Sequence, residues 1–141
     1  MDEFAIRFEG KALVIARQGD LEIRTDQPSE FGGDGTAASP FVLFLASIGT
    51  CAGFYVRRFC ESRGISIEGI RLVQHILEDP TDSRKIGTVR VEVILPHSFP
   101  DQYRDAVIRA AETCAVKKYL RQPFRVETVA ISPSDSAATR A

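Results

Sequence analysis

The sequence predicts a single α+β domain whose secondary-structure elements follow the order βββαββαβ. Apolar residues recur at every second position near both ends of the chain, which is typical of half-buried strands. Between these regions an uncharged stretch from Pro40 to Val56 indicates a buried helix. The chain has 141 residues, 44% of them hydrophobic, which suits one domain. We assign residues 1–131 to this domain and expect residues 132–141 to form a flexible C-terminal tail.

The first three strands are predicted from short alternating segments separated by turn-like breaks. The alternating apolar positions are Phe4, Ile6 and Phe8, then Ala12, Val14 and Ala16, then Leu21 and Ile23. Their spacing predicts an antiparallel meander. Residues 26–38 are rich in glycine, serine, aspartate and proline, which predicts a loop of about a dozen residues.

Ser39 and Pro40 predict the start of a long helix. The serine hydroxyl can accept from free backbone amides, and proline has the backbone angle of a first helical turn. We expect the helix to run to Arg63, with Gly64 in the left-handed conformation that ends it. A membrane span is the rival interpretation, but it needs roughly 20 apolar residues. This stretch contains several small or polar residues and soon meets two arginines, so we favour a tightly packed core helix.

The second half of the chain repeats the alternation and adds another helix. Residues 67–77 and 86–95 predict paired strands joined by a polar loop. From Tyr103 to Cys114 the apolar residues fall at helical spacing, which predicts a second helix with Cys114 on its apolar side. Residues 124–131 predict a final strand.

Charge and the N-terminal sequence argue against several functional classes. The net charge of -1 comes from 18 basic and 19 acidic residues mixed along the chain, so we expect no nucleic-acid partner. The first ten residues lack the basic start and apolar stretch of a signal peptide, and we therefore expect a cytoplasmic protein. In that reducing compartment cysteines rest as thiols, and disulfides are transient.

The three cysteines are the main candidates for chemistry, although a cysteine in an apolar helix is most often an inert buried residue. Cys51 and Cys60 are nine residues apart in the predicted helix. That spacing separates them by about 13 Å along the axis, beyond the Cα limit of about 7 Å for a disulfide. Cys114, on a different helix, is the intrachain candidate for pairing with either.

Other chemistries find little support in the sequence. No CxxC motif occurs, and the two histidines, His75 and His97, are too few to suggest a zinc site with these cysteine spacings. The chain has no GxSxG elbow of a serine hydrolase. The GGDG segment lacks the strand and helix context of a dinucleotide site. We therefore expect neither a metal nor a cofactor.

Two cysteine-bearing segments carry a family resemblance. GGDGTAASPFVLFLASIGTCAGFYVRRFCESRGI leads from a glycine-rich loop through Ser-Pro into a small-residue helix that contains Cys51. AAETCAVKKYL contains Cys114, 63 residues later. With the order of strands and helices, these segments resemble the osmotically inducible protein C (OsmC) and organic hydroperoxide resistance family over nearly the full chain.

The resemblance implies both a fold and an activity. The family fold is an intertwined homodimer with antiparallel sheets around two central helices and its thiol sites at the subunit interface. In peroxidase members, the cysteine matching Cys51 attacks the peroxide O–O bond as a thiolate and becomes a sulfenic acid. The cysteine matching Cys114 then forms a disulfide with it, which a dithiol reductant reopens. The resemblance thus implies a small hydroperoxide as the substrate.

Departures from the family pattern concern how Cys51 would be activated. Branches of the family have a glutamate one or two positions after the helix-opening proline, where this chain has Phe41 and Val42. That acid orients an arginine beside the sulfur, and a nearby cation lowers the pKa of a thiol. In addition, Ala115 and Lys117 stand where many members have proline and histidine.

Five basic residues are candidates for stabilising a Cys51 thiolate. Four come from the N-terminal strand region that supplies the family's arginine, and the fifth follows Cys51 by seven residues on nearly the same helix face. They are Arg17, Lys11, Arg7, Arg24 and Arg58. Such residues are more often solvated surface charges.

Three functions follow as hypotheses. The leading one is a thiol-dependent peroxidase that uses Cys51 and Cys114. The others are a non-catalytic module that binds a small hydrophobic ligand and a thiol redox sensor that forms the disulfide without turnover. The role of Cys60 stays open.

Overall fold

In the computed structural model, which describes residues 3–132, the chain forms two antiparallel sheets and three α-helices. The elements in chain order are β1 (Ala5–Glu9), β2 (Leu13–Gln18), β3 (Leu21–Thr25), α1 (Pro40–Glu61), β4 (Arg71–Asp79), β5 (Asp82–Ile94), α2 (Arg104–Glu112) and α3 (Ala115–Arg121). Two short 3-10 turns lie at Ser29–Phe31 and Asp101–Tyr103. The predicted α+β class is confirmed.

The first sheet is the predicted meander, in the order β1-β2-β3. The second is a β4-β5 hairpin with a shorter turn than predicted. Only Pro80 and Thr81 separate the strands, because the Asp79 carboxylate accepts from the Thr81 amide at 2.8 Å and closes the turn. The residues that follow therefore belong to β5, not to the predicted polar loop.

The predicted final strand over residues 124–131 is not formed in the protomer. Residues 123–132 have neither helix nor strand, although they contain several apolar residues. A strand needs a neighbour to complete its backbone hydrogen bonds, and this segment pairs with no strand of residues 3–132. Phe124 is therefore 69% exposed and Val126 78% exposed. Of the predicted tail, 132–141, all but Ser132 lies outside the described residues.

The predicted second helix is divided into α2 and α3. The helix stops at Glu112, where the Thr113 hydroxyl donates to the Ala110 carbonyl at 2.7 Å. Cys114 is extended, with φ -56° and ψ 134°, and its sulfur accepts from the Lys117 amide at 3.4 Å. Such local bonds from side chain to backbone compete with a continuous helix. Cys114 is thus the N-cap of α3, and the expected place on the apolar side of one long helix is wrong.

Helix α1 begins as predicted, with the Ser39 hydroxyl accepting from the Val42 amide at 3.3 Å. It ends at Glu61, two residues before the predicted Arg63, and Gly64 has the expected left-handed φ of 63°. One side of α1 is buried against α2 and the β4-β5 sheet. The buried cluster contains Ala52, Val56, Phe59, Cys60, Phe99, Val107 and Ala111.

The other side of α1 is not covered in the protomer. Phe41, Phe44 and Phe54 on this helix are exposed, so the prediction of burial on most sides is wrong for the single chain. By length and composition α1 is also apolar enough to cross a membrane, with 17% of its most apolar window buried. Core helices of soluble proteins meet the same two criteria.

Asp26 organises the loop that leads into α1. Its buried carboxylate accepts from the Thr36 amide at 2.9 Å, from the Thr36 hydroxyl at 2.7 Å and from the Gln27 amide at 2.8 Å. These hydrogen bonds, those of Thr36 first, lower the pKa of Asp26 to about 2. The Asp26 amide donates to the Ala38 carbonyl at 3.3 Å, which closes the loop at its base.

A close contact between α1 and β4 fixes the helix over the second sheet. Gln74 of β4 donates its Nε2 to the Leu45 carbonyl at 2.9 Å. Its Oε1 has no hydrogen-bond partner among the described residues and would lie 2.7 Å from a Cβ added at Gly49. Gly49 therefore gives the amide of Gln74 the space to reach the helix backbone.

We predict that Gly49→Ala destabilises the protein although alanine is the better helix former. The new Cβ would displace Gln74 and cost its hydrogen bond to Leu45, about 1 kcal/mol, plus the strain of moving a packed side chain. This loss offsets the gain of about 1 kcal/mol that alanine brings to a helix interior. Chemical denaturation of the wild type and the variant measures the change in the free energy of unfolding.

Gly53→Ala is the matched control, because its added Cβ would meet only Leu72 at an ordinary 3.8 Å. In a Gln74→Ala background, Gly49→Ala should become stabilising. A Gly49→Ala variant that is as stabilising with Gln74 present as without it would contradict the contact.

Candidate active site

The structure brings Cys51 and Cys114 together and leaves Cys60 apart. Cys51 lies in the middle of α1 and is half-buried, while Cys114 is fully buried at the start of α3. Hydrogen bonding between the two thiols affects the ionisation of both. Cys60 is buried nine residues further along α1 in the core cluster with Val56 and Phe59. The pair available for redox chemistry in the protomer is therefore Cys51 and Cys114.

The surroundings of Cys51 favour its thiolate. Burial is the largest single influence and raises the pKa of Cys51. The backbone amide of Val116, the thiol of Cys114, the amide of Ala115 and the charge of Lys117 act in the opposite direction. Together these groups lower the pKa of Cys51 below that of an ordinary cysteine.

The other two thiols are held in the protonated form. Burial raises the pKa of Cys114, and the neighbouring Cys51 raises it further through hydrogen bonding and charge. Burial also raises the pKa of Cys60. Since the thiolate is the nucleophile, these surroundings favour Cys51 over the other two sulfurs for nucleophilic chemistry.

Lys117 supplies the positive charge near the pair. Its side chain is only 14% exposed, and its Nζ contacts Glu112 Oε1 at 2.5 Å. The other carboxylate oxygen of Glu112 accepts from Arg121 at 2.6 Å. Hydrogen bonds from Lys117 and then Arg121 lower the pKa of Glu112, so this carboxylate is ionised and holds both cations beside the start of α3.

The five predicted cations have other contacts in the protomer. Arg7 and Arg24 each pair with Glu9 and Glu22 across the first sheet. The other three side chains contact different groups. Lys11 pairs with Asp34 at 3.5 Å, Arg17 donates to the Gly19 carbonyl at 2.9 Å, and Arg58 lies 5.8 Å from the centre of the Phe54 ring. A role for any of the five at Cys51 stays a prediction.

Lys117 and the amides of α3 are not among the residues predicted to act on Cys51. One signal for Lys117 was present, because it stands three residues after Cys114, the spacing of an N-cap and its amide donor. The backbone amides of Ala115 and Val116 could not be recognised from the sequence, because every residue except proline has such an amide. They face Cys51 only because the chain breaks between α2 and α3.

An apolar cavity opens next to the thiol pair. Its volume is about 460 Å³, and its lining joins α1 to α3 and the extended C-terminal segment. Ser47, one turn before Cys51, and Val116, whose amide acts on Cys51, both contribute to it. The remaining walls are Phe44, Ala115, Tyr119, Leu120, Pro123, Phe124 and Val126.

The fold and the paired thiols identify the class of protein. A family model described as OsmC-like protein matches residues 33–129, more than half of the chain. The matched region contains the whole of α1 with Cys51 and the start of α3 with Cys114. The chain belongs to the OsmC-like family. No curated protein sequence matches it significantly.

Several solved structures share the fold of this chain. A protein of Psychrobacter arcticus described as an osmotic stress induced and detoxification response protein is 23% identical, with a TM-score of 0.66 and coverage of 82% of this chain and 85% of that one. The OsmC like protein of Mycoplasma pneumoniae is 12% identical, with a TM-score of 0.60 and coverage of 87% and 89%. The organic hydroperoxide resistance protein OsmC of Legionella pneumophila is 20% identical, with a TM-score of 0.53 and coverage of 86% and 89%.

We predict that Cys51 is alkylated at lower pH than Cys114. Their pKa values are shifted in opposite directions, so a pH window exists in which Cys51 is largely a thiolate and Cys114 a thiol. A separation of one pH unit would make Cys51 about tenfold more reactive in that window. Timed alkylation of the reduced protein over a pH series, followed by mass spectrometry of the cysteine peptides, gives the two midpoints.

Cys60 is as fully buried as Cys114 and is the internal control. Alkylation of Cys114 no faster than that of Cys60 reports opening of the fold, and only faster alkylation reports the pKa of Cys114. The assignment of Cys51 as the nucleophile is wrong if Cys114 reacts first.

Proposed function

We propose that this protein is a thiol-dependent peroxidase that reduces organic or small inorganic hydroperoxides. The observation that supports it is the pairing of a half-buried thiol of lowered pKa, Cys51, with a buried thiol of raised pKa, Cys114. A peroxidatic cysteine needs a thiolate, and a resolving cysteine has to lie close enough to attack the sulfenic acid of its partner.

The reaction divides into two steps within the chain. The Cys51 thiolate attacks the distal peroxide oxygen, the O–O bond breaks, and the substrate leaves as an alkoxide that takes up a proton to become an alcohol. Cys51 is thereby oxidised to a sulfenic acid. The Cys114 sulfur then attacks the Cys51 sulfur, and the sulfenic hydroxyl leaves with the Cys114 proton as water.

A dithiol reductant closes the cycle. One of its sulfurs attacks the Cys51–Cys114 disulfide and its second sulfur displaces the first, so both cysteines return as thiols and the reductant leaves as a disulfide. Such reductants belong to a reducing compartment, in line with the proposed cytoplasmic location.

One equivalent of hydroperoxide should remove two of the three thiols from the reduced protein. We expect a Cys51–Cys114 disulfide in peptide maps, and in Cys114→Ser a Cys51 sulfenic acid that dimedone traps. Cys51→Ser should lose turnover with a dithiol reductant. Cys60→Ser is the matched control and should keep it, since its sulfur is buried away from the pair. The proposal fails if wild type keeps both thiols free.

The same experiment separates the alternatives. A redox sensor would form the disulfide but fail to turn over repeatedly with any dithiol. The ligand-binding module is favoured by the apolar cavity of about 460 Å³. It would co-purify with an apolar compound and show no difference between wild type and Cys51→Ser in a peroxide assay.

We also propose that the protein works as an intertwined homodimer. The outer side of α1 exposes Phe41, Phe44 and Phe54, and residues 124–131 expose further apolar side chains. The apolar side of this helix and the apolar side chains of residues 124–131 can each be covered by a second copy, as the family implies. Two copies would also cover Phe4, Ile6 and Phe8 of the first strand region, which are exposed in the protomer.

Light scattering after size-exclusion chromatography should therefore give twice the chain mass of 15.6 kDa. Phe54→Glu places a charge on the outer side of α1 and should shift the protein toward monomer. Arg84→Glu, at a side chain that is 89% exposed on the β4-β5 hairpin, is the control and should stay dimeric. A monomeric wild type at assay concentrations would disprove the dimer.

A further inference from the structure

We propose that Lys117 is the positioning residue that promotes ionisation of Cys51, in place of the acid-oriented arginine that the family pattern would supply. Lys117 acts through Cys51 and does not itself touch the substrate. The inference rests on the proposed peroxidase function for its effect on rate, although the ionisation of Cys51 can be measured without any peroxide.

The backbone of Lys117 is tied directly to the thiol pair. Its amide donates to the Cys114 sulfur at 3.4 Å, which fixes the first turn of α3 against the cysteine that contacts Cys51. The side chain then pairs with Glu112 at the end of α2, whose own side chain is 49% exposed. With only 14% of its side chain exposed, Lys117 keeps its charge close to the pair and partly shielded from water.

Lys117 is also held on its far side. Glu112 accepts from both Lys117 and Arg121, so the carboxylate bridges two cations that lie four residues apart on α3. The bridge leaves one net positive charge in the group of three side chains. It restricts the rotamers of Lys117, whose four-carbon chain would otherwise swing into solvent.

Few other charges compete with Lys117 at this place. The part of α1 from Pro40 to Val56, which contains Cys51, has no charged residue. Further along α1, Arg57 pairs with Glu61 and Arg58 lies over the Phe54 ring. A groove between β5 and α3 is lined by Arg90 and Val91 together with Lys117. Val91 packs on the core, and because side chains alternate along a strand, the Arg90 side chain points to the opposite face. The ionisable groups around Lys117 on α2, α3 and α1 are Glu112, Arg121, Cys114 and Cys51.

The substitution at the start of α1 explains why another cation is needed. Phe41 and Val42 are exposed there and cannot orient an arginine. The arginines and the lysine of the first strand region contact other groups. Lys117, although paired with Glu112, lines one groove with Ile48, three residues before Cys51 on α1, and its charge acts on Cys51. A cation beside a thiol lowers its pKa because it stabilises the thiolate and not the thiol.

Lys117→Gln tests the charge while keeping a donor for Glu112. We expect the alkylation midpoint of Cys51 to rise by about half to one pH unit. Hydroperoxide consumption at pH 7 should then fall about threefold to tenfold, the same change expressed as thiolate fraction. At a pH above both midpoints the rates of wild type and variant should converge, which a merely structural loss of activity would not do.

Lys118→Gln is the matched control, because it removes the same charge one residue away from an exposed side chain of the same helix. Lys117→Arg should restore the wild-type midpoint. An unchanged midpoint in Lys117→Gln, or an equal shift in Lys118→Gln, overturns the inference. If Lys117→Gln is unfolded by circular dichroism, Lys117→Arg decides: a midpoint like that of wild type supports the role, and a raised one refutes it.

The alkylation midpoint keeps this test independent of the peroxidase proposal. A wild type that consumes no hydroperoxide, with a midpoint that still rises in Lys117→Gln, refutes the enzyme and supports the role of Lys117. If the wild type consumes hydroperoxide but the Cys51 midpoint is unchanged in Lys117→Gln, the enzyme is supported and the role of Lys117 is refuted.

Discussion

The site depends on the interruption of the chain at Thr113 and Cys114. If α2 ran on without a break, its amides would be used inside the helix and Cys114 would be one more residue on its surface. Because α2 stops at Glu112 and α3 starts anew, unpaired amides of Ala115 and Val116 become available to a sulfur on a neighbouring helix. One irregularity of the backbone thus brings together a second thiol, two donors and the side chain of Lys117.

The two sulfurs share one environment and respond to it differently. Burial opposes ionisation of both, but hydrogen-bond donors and charge are directed at Cys51, and its own developing charge then opposes ionisation of Cys114. The difference is a property of the pair, since ionising one sulfur changes the other. Two residues of the same type thus differ in protonation, with Cys51 favoured as the thiolate and Cys114 as the thiol.

Periodicity was a sound guide where elements are completed within the chain, and it failed where they are not. The meander, the hairpin and the start of α1 at Ser39 follow the sequence pattern, and helix geometry correctly separated Cys51 from Cys60. Residues 124–131 have the apolar composition of a strand but pair with no strand among residues 3–132. The break before α3 was hidden because apolar spacing continues through it, and hydrogen bonds of Thr113 and Cys114 decide the outcome. The amides acting on Cys51 have no side-chain signature at all.

Cys60 can serve as an internal probe of the folded state. It is on the same helix as Cys51, is fully buried in the core and has a raised pKa, so its reagent accessibility reports on the integrity of the fold. A sample in which two sulfurs have reacted has undergone chemistry at the pair. A sample in which the third has also reacted has opened its core. The number of modified cysteines per chain therefore distinguishes oxidation confined to Cys51 and Cys114 from oxidation that follows unfolding.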